Sequence, residues 1–371
     1  TVAQDGVHKV TYEFLRDLGV DINGMASDRI NFYGSHFGML PFVNNVDRPT
    51  DMLVNTIDVH DGGDGVMGSG DYILFYASGP QRWEVANQLF KHTKNVYSET
   101  ASYFVGVDVE PPVRMLPVAL SSAPATRTIT QFNDRQFIER DLLNHIKSGR
   151  TWYGETFDLV TTYNFQFETP NLVPGEPVIL QVTGASRTFN FTNPVVVNSS
   201  TFNLSSGSAF SASFSVPGIA NSYTGPMARS FDTSYTWTGG GNSVPVSLTY
   251  VKFDPVSSVA WLDFLRLNCK RELRMTGDQL GFRDLASVGA GEVGEFVVDQ
   301  AQSIYRIWEI TDPTHAGDVP FTVEGTQKRF RLGVDSLRQF IAFRDANYLT
   351  PTRVGPVPSQ NLHATAIPTD L

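Results

Sequence analysis

An acidic, glycine-rich segment is the stretch of this sequence whose residue types most directly suggest chemistry. It reads His60-Asp61-Gly62-Gly63-Asp64-Gly65, and Asp71 follows six residues after Gly65. When Gly65 is aligned with the obligatory glycine of an EF-hand loop, Asp64 and Asp71 fall on two of the ligand positions. Because Ca²⁺ prefers carboxylate oxygens, Asp61, Asp64 and Asp71 together predict a weak calcium site.

The same loop also has a metal-free interpretation. Two further ligand positions fall on His60 and Gly62, which are poor ligands for a hard cation. Asp58 and Asp61 would have to substitute for them in a rearranged loop. The alternative is a tight turn of Gly and Asp that joins two strands and binds no metal. Apart from calcium the sequence predicts no cofactor, since its histidines show no zinc-ligand spacing.

Cys269 is the only cysteine, so the chain forms no internal disulfide. A nucleophilic cysteine needs a thiolate beside an imidazole in a partly exposed pocket. In the run Leu265-Arg266-Leu267-Asn268-Cys269, strand alternation places the thiol on the same face as the two leucines. The pattern therefore predicts a buried, structural cysteine.

Two adjacent aromatic residues suggest a different kind of site. Trp152 and Tyr153 lie between Gly149 and Gly154, where exposed rings would be able to stack on a sugar. The alternative is core packing, because large aromatic side chains are usually buried. A hydrolase that uses carboxylates is a further alternative, and it requires two or more acids to converge in one pocket.

Length and charge limit the remaining classes of function. A chain of 371 residues exceeds the size at which one core keeps growing, so two domains are expected. The net charge of −10 argues against a nucleic-acid partner. No apolar run is long enough to predict a membrane-spanning segment.

The hydrophobic pattern predicts an α+β chain that is mostly β. Residues 1–125 mix short strands with a helix over residues 12–18, which Thr11 caps and Gly19 ends. Residues 126–350 begin with a predicted helix, in which Asn133 and Gln136 have capping-box spacing, Ile138, Leu142 and Ile146 share a face, and Gly149 follows. Alternating strands such as residues 210–216 and 244–250 then predict a jelly-roll-like β-sandwich. The prolines of residues 351–371 predict an extended linker.

Several short segments, in this order, resemble gingipain-like cysteine peptidases, and most of all the subgroup that acts as the sortase of the type IX secretion system. No single segment is specific, and the order over the whole chain carries the resemblance. The segments are residues 7–15, 30–34, 38–41, 70–76, 79–83, 148–155, 261–264, 340–343, 347–351, 355–357 and 360–363.

The resemblance implies that this chain is the non-catalytic N-terminal region of such an enzyme, with a protease domain expected after residue 371. The family's catalytic histidine is followed by glycine, and none of the seven histidines here is. The Cys–His dyad therefore maps onto no residue of this chain, which is expected to be inactive alone although its parent would be a cysteine endopeptidase. That parent is expected to be exported to the outer-membrane surface, to remove C-terminal signals from cargo and to attach the cargo to lipopolysaccharide.

The implied partners are the protease domain, secreted cargo and an outer-membrane β-barrel protein. Positioning or shielding the protease would be the task of this region. A stand-alone carbohydrate-binding β-sandwich of the cell surface is the alternative from another class, and it requires Trp152 and Tyr153 to face solvent.

Overall fold

The computed structural model describes residues 1–43, 45–47, 49, 51–145, 147, 150–190 and 197–358. Within these ranges the chain forms 27 strands and one α-helix, which confirms the predicted mostly-β fold class. Short 3₁₀-helices lie at Ser27–Arg29, Leu285–Ser287, Ala301–Ser303 and Pro313–His315. In the described part of the chain, no helix is long and apolar enough to cross a bilayer.

The N-terminal region consists of small antiparallel sheets around one apolar core. The sheets have the orders β1-β5-β4 and β3-β2-β8, and β6 and β7 form a separate hairpin. The elements are β1 (Gly6–Thr11), α1 (Tyr12–Asp17), β2 (Ile30–Gly34), β3 (Val54–Asn55), β4 (Ile57–His60), β5 (Tyr72–Ala77), β6 (Arg82–Ala86), β7 (Leu89–Thr93) and β8 (Tyr103–Val107).

Helix α1 forms where its capping residues predict it. The Thr11 hydroxyl accepts a hydrogen bond from the backbone N–H of Phe14, and Gly19 has a φ of 96° just after the helix. Leu15 on the inner side is fully buried. The helix ends at Asp17, one residue earlier than predicted.

The middle of the chain builds the predicted β-sandwich. One curled sheet has the order β16-β15-β19-β12-β20-β13-β18, and β10 and β11 also pair with β20. The strands are β9 (Arg127–Ile129), β10 (Gln131–Glu139), β11 (Thr156–Phe157), β12 (Thr162–Leu172), β13 (Pro177–Arg187), β14 (Phe189–Asn190), β15 (Ser199–Ser206), β16 (Phe210–Pro217), β17 (Ile219–Ala220), β18 (Arg229–Thr238), β19 (Gly241–Val251) and β20 (Val259–Glu272).

Aromatic contacts close this sheet on itself. Phe210 on β16 stacks on Trp237 on β18 with ring centroids 4.7 Å apart, although β16 and β18 stand at opposite ends of the strand order. Phe202 lies at the centre of the core and is fully buried. Gly184 permits the close approach of β13 to β20, because a Cβ there would collide with the Trp261 carbonyl and the Phe231 ring.

Residues after β20 form a second, smaller pair of sheets. Their orders are β21-β27-β23-β24 and β25-β26-β22-β9, and phenylalanine rings fill the space between them, as in Phe296 against Phe340 at 4.8 Å. The strands are β21 (Gln279–Phe282), β22 (Val293–Val298), β23 (Arg306–Glu309), β24 (Gly317–Asp318), β25 (Thr322–Glu324), β26 (Gln327–Gly333) and β27 (Phe340–Phe343).

A further apolar cluster joins the last strands to the first. Trp308 and Phe343 are fully buried and belong to one cluster with Val7 and Leu74 of the N-terminal sheet. Beyond β27 the chain returns to β1, where Leu349 forms backbone hydrogen bonds with Val7 and Lys9 at 3.2 and 2.8 Å. The two ends of the described chain are therefore parts of one packed unit.

The predicted helix before the sandwich is wrong. Residues 131–139 form strand β10, which pairs with β20 over nine residues from Gln131↔Glu272 to Glu139↔Phe264. The long ladder outweighs the local capping pattern, and Leu142, predicted to share a helix face with Ile138, is exposed. Ile146 and Gly149 lie outside the described residues.

Residues 351–358 have no regular secondary structure. Thr352 nevertheless exchanges two hydrogen bonds of 2.8 Å with Thr1, and Arg353 pairs with Asp17 at 2.8 Å. Residues 359–371, which include the predicted motif at 360–363, lie outside the described residues. The linker assignment for residues 351–371 stays a prediction, as does the boundary near residue 125.

Candidate functional site

The acidic loop is built from turns that its own carboxylates hold. Asp61 accepts hydrogen bonds from the Ser27 hydroxyl at 2.6 Å and from the Gly63 N–H at 3.0 Å, and the Ser27 bond is the main cause that lowers the pKa of Asp61. Asp64 accepts from the Val66 N–H at 2.9 Å, and Asp71 from the Gly68 N–H at 2.6 Å. Each predicted calcium ligand therefore already has a backbone or hydroxyl partner.

The carboxylate of Asp58, the predicted substitute ligand, also has side-chain partners already. Its Oδ2 lies 2.8 Å from His60 Nε2 and 2.7 Å from an Arg306 nitrogen. Among the described residues no group of three or more His, Cys, Asp or Glu side chains is placed to hold a metal ion. Calcium at Asp61, Asp64 and Asp71 stays a prediction, which would require the free oxygens of Asp64 and Asp71.

The two aromatic residues predicted to stack on sugar differ in environment. Trp152 is 37% exposed. Tyr153 is partly buried, with its ring 5.7 Å from that of His145 and 6.2 Å from that of Trp261. Its backbone pairs with Leu143, so Tyr153 belongs to a packed bridge and only Trp152 presents an open ring face.

Cys269 lies in the sandwich core, which confirms the predicted buried thiol. It is 5% exposed, and burial raises the pKa of the thiol. A protonated thiol in an apolar core is a poor nucleophile.

A cavity of about 350 Å³ opens where the returning chain meets β1. Its walls include Lys9, Phe14, Asp345 and Tyr348. The volume is in the range of small-ligand or side-chain pockets. No spacing in the sequence signals this cavity, because its walls come from opposite ends of the chain.

Lys9 places a positive charge in this cavity, whose wall also includes the carboxylate of Asp345. Its Nζ lies 3.6 Å from the centroid of the Tyr72 ring and 5.7 Å from that of Tyr348. Within the described ranges no carboxylate forms an ion pair with it. The Tyr348 hydroxyl donates to Asp345 at 2.7 Å, and burial together with that carboxylate raises the pKa of Tyr348. The Lys9 ammonium contacts aromatic rings and forms no ion pair with a described carboxylate. It can therefore attract an anionic group of a ligand or partner.

A serine–histidine pair that the sequence did not single out lies near β5. His36 Nδ1 is 2.8 Å from the Ser78 hydroxyl, and His36 Nε2 is 2.6 Å from Asn55 Oδ1. Burial lowers the pKa of His36, so the imidazole is neutral and accepts from Ser78. This order of groups matches a nucleophile, a base and an orienting residue.

Among the residues that the structure describes, this pair has no free oxyanion donors beside it. The Ser78 N–H is donated to the Tyr103 hydroxyl at 2.8 Å and the Gly79 N–H to Asp5 at 2.8 Å. Those two donors would be the natural ones to stabilise an oxyanion. The geometry therefore favours a structural network that ties β2, β5 and β8 together.

Carboxylates converge in one further place, on the outer face of strand β20. Burial, followed by the carboxylates of Glu139, Asp141 and Asp232, raises the pKa of Asp263 to about 7. Two of these neighbours already have partners, since Glu139 lies 2.6 Å from His92, an imidazole whose pKa is lowered by burial, and Asp141 lies 2.9 Å from Lys94. A hydrogen bond to His92 and an ion pair with Lys94 therefore account for two of the four carboxylates without a reaction.

No protein-family model and no curated protein matches the chain. Among solved structures, dimeric latent PorU from Porphyromonas gingivalis matches with a TM-score of 0.76 and 25% sequence identity. The match covers 99% of this chain and 33% of PorU, so the chain spans about a third of the length of that neighbour. This likeness bears out the resemblance to type IX sortases that the sequence predicts, over nearly the whole chain.

Other structural matches are remote. A carbohydrate-binding domain of a xylanase from the hindgut metagenome of Trinervitermes trinervoides has a TM-score of 0.21 and 12% identity, and covers 36% of this chain and 96% of its own. A tandem carbohydrate-binding domain from Paenibacillus barcinonensis has a TM-score of 0.20 and 8% identity, and covers 59% and 87% of the two chains. Values this low support no inference about fold or ligand.

Proposed function

We propose that this chain is the non-catalytic N-terminal region of a type IX secretion sortase, a gingipain-like cysteine peptidase. The observation that carries the proposal is the likeness to PorU over 99% of this chain. In this proposal the parent enzyme removes C-terminal signals from exported cargo and attaches the cargo to surface lipopolysaccharide. The peptidase chemistry belongs to a protease domain outside this chain, because Cys269 is buried in an apolar core.

In this proposal the region positions the protease domain through the cavity at Lys9. The Lys9 ammonium lacks a carboxylate partner among the described residues, while Phe14 offers an apolar wall. Such a pocket suits a carboxylate-bearing segment of a docked domain. Leu349 and Thr352 anchor the returning chain beside it, so a domain that follows would start near this side of the N-terminal sheet.

The proposed setting is the outer-membrane surface, with secreted cargo and an outer-membrane β-barrel protein as partners. Protease treatment of intact cells tests this setting. We expect the native gene product to be degraded in intact cells while a periplasmic marker survives. Protection of the protein until the outer membrane is lysed would contradict a surface location.

The first test of function is peptide cleavage by the purified chain. We expect no hydrolysis of a peptide that carries a cargo C-terminal signal, because the thiol of Cys269, the only cysteine in the sequence, is buried in an apolar core. Cys269→Ser should leave this result unchanged. Hydrolysis that disappears in Cys269→Ser would overturn the assignment of a non-catalytic region.

The second test is docking. The protease domain of the native gene product is added in trans, and its affinity for this chain is measured by calorimetry. Lys9→Met should weaken binding by about tenfold, which corresponds to ~1.4 kcal/mol. Lys147→Met removes the same charge from an exposed loop and should bind like the parent chain. Equal affinities for all three would exclude the Lys9 cavity as the docking site.

The mass of the native gene product tests the proposal independently. This chain has a mass of 41.0 kDa. A native product far above that mass supports a region of a larger enzyme. A native product of 41.0 kDa would contradict it.

The alternative function is a carbohydrate-binding sandwich, and the observation that favours it is the 37% exposure of Trp152. Binding of purified lipopolysaccharide sugars is the measurement, with Trp152→Ala and the packed Tyr153→Phe compared. Carbohydrate binding predicts that only Trp152→Ala abolishes retention on a glycan column. Absence of retention of the parent chain would exclude this alternative.

A further inference from the structure

Two arginines meet at the seam between the N-terminal sheet and the later strands. Arg135 lies on β10, and Arg283 directly follows β21. The Cζ atoms of the two guanidinium groups lie 4.8 and 6.0 Å from the centroid of the same ring, that of Phe90. The Tyr76 side chain of β5 lies within electrostatic range of both arginines.

Neither arginine forms an ion pair with a carboxylate of the described residues. In the described part of the chain, no carboxylate or carbonyl accepts a hydrogen bond from the side chain of Arg135 or Arg283. Arg283 is only 8% exposed, and its Nε is buried with no acceptor. The Tyr76 hydroxyl, on a residue 7% exposed, has no hydrogen-bond partner among these residues either.

The acids nearby are occupied elsewhere. Asp134 bonds Arg271 at 2.9 Å through Oδ2 and the Arg135 backbone N–H at 2.9 Å through Oδ1. Asp5 accepts from the Gly79 N–H. The guanidinium group of Arg271 therefore has a carboxylate acceptor. Arg135 and Arg283 have no equivalent acceptor among the described residues.

This arrangement is unfavourable unless something compensates it. A buried guanidinium without a partner loses hydration, and two like charges repel. Burial, with Arg283 as the next cause, lowers the pKa of Arg135 to about 9, and burial also lowers the pKa of Arg283. The planar N–H groups of arginine match the oxygens of carboxylate, phosphate or sulfate.

We propose that Arg135, Arg283 and the Tyr76 hydroxyl form a binding site for a small oxyanion: phosphate, sulfate or a carboxylate group. The two charged groups share one aromatic wall, and the low exposure of Arg283 and Tyr76 limits the ligand to a group of this size. The bound oxyanion would bridge β5 of the N-terminal sheet to β10 and the end of β21. This proposal is independent of the proposed sortase relationship.

The test is thermal unfolding at constant ionic strength in chloride, phosphate, sulfate or acetate. Arg135→Gln is the test variant, and Arg29→Gln, on an exposed pair with Asp108, is the control for net charge. Phosphate and sulfate also stabilise proteins non-specifically, and the two variants measure that background. We expect at least one oxyanion to raise the Tm of the parent chain and of Arg29→Gln by several degrees more than that of Arg135→Gln.

In chloride, where no oxyanion is present, the difference in Tm between Arg135→Gln and the parent chain should be zero or of the opposite sign. Arg135→Gln should unfold at the same or a higher temperature than the parent chain, because it removes one of two repelling charges. Calorimetric titration of the parent chain with the effective oxyanion should give one site per chain, lost in Arg135→Gln. Equal responses of all three proteins to every oxyanion would overturn the site. A Tm of Arg135→Gln that is lowered equally in all four salts would also overturn it. Arg135 would then be assigned to packing on Phe90 and on Trp83, whose ring centroid lies 5.0 Å from the Arg135 Cζ.

Discussion

Both faces of strand β20 are buried, one against the apolar sandwich core and the other under a hairpin with polar contacts. Leu265, Leu267 and Cys269 point into the sandwich core and are 0 to 5% exposed. Arg266 alternates with them on the other face, yet it is also only 6% exposed. The β6–β7 hairpin covers this outer face, where Asn268 holds the Phe90 backbone through hydrogen bonds of 2.8 and 3.1 Å.

The difference shows what holds each layer together. The inner face is stabilised by apolar area removed from water, which is non-directional and tolerant of small shifts. The outer face depends on directional contacts between polar groups, such as His92 with Glu139 at 2.6 Å and Arg266 Nη1 with His92 Nδ1 at 3.4 Å. Such contacts are sensitive to pH and costly when one partner is lost.

Truncation on the inner face should have the largest effect. Leu267→Ala should lower the free energy of unfolding by about 2–5 kcal/mol, because it leaves a cavity at a fully buried position. Leu159→Ala is the matched control, since Leu159 is 97% exposed and should change stability by less than about 0.5 kcal/mol. Urea unfolding measures both. Equal effects would contradict an inner face held by apolar packing.

Loss of the hairpin clamp should have a smaller effect. Asn268→Ala removes both hydrogen bonds to Phe90 and should cost about 1–3 kcal/mol. Lys270→Ala, two residues along the same face, removes only a pair at 4.0 Å and should cost under about 1 kcal/mol. Limited proteolysis should show faster cleavage near Asn87 and Gln88 only in Asn268→Ala. Unchanged cleavage would mean that the hairpin is held by its aromatic contacts alone.

The pH dependence of the outer face should be smaller still. The pKa of Asp263 is raised to about 7, whereas an unfolded aspartate titrates near ~3.9. The folded state therefore keeps a proton in this window that the unfolded state has released, and stability from this group falls as pH rises from about 4 through 7.

Asp263→Asn abolishes this titration. It should match the parent chain at pH 4 and exceed its free energy of unfolding at pH 8 by on the order of 1–2 kcal/mol, after allowance for solvent screening. Asp158→Asn, at an exposed carboxylate, is the control. A constant difference between Asp263→Asn and the parent at both pH values would show that Asp263 titrates normally.

The same comparison explains what the sequence could predict. Alternation of Leu265, Leu267 and Cys269 correctly predicted which residues share the core face, because side-chain direction is a local property of a strand. It gave no sign that Arg266 is buried, since the covering hairpin lies far away in the chain. The cavity at Lys9 and the serine–histidine pair were missed for the same reason. The wrong helix over residues 133–146 failed because pairing with β20 overrides local capping signals.

The smallest expected effect is the stabilisation of the acidic loop by calcium. This loop extends the comparison to carboxylates that accept hydrogen bonds from backbone N–H groups nearby in the chain. Asp64 holds the Val66 N–H at 2.9 Å, as Asp254 holds the Val256 N–H at 2.8 Å in a turn without further acids. At a calcium concentration about ten times a millimolar Kd, binding would stabilise the native state by about 1.4 kcal/mol, or a few degrees of Tm.

Asp64→Ala and Asp254→Ala therefore separate the two roles of the carboxylate. Without calcium both should lose stability, and Asp254→Ala somewhat more, because Asp254 accepts two turn hydrogen bonds and Asp64 accepts one. Calcium should raise the Tm of the parent chain and of Asp254→Ala but leave Asp64→Ala unchanged, with magnesium as the control for ionic strength. If calcium shifts none of the three proteins, or all of them equally, the loop is a metal-free turn. Its carboxylates then resemble the outer-face residues of β20, because directional hydrogen bonds within the chain satisfy them.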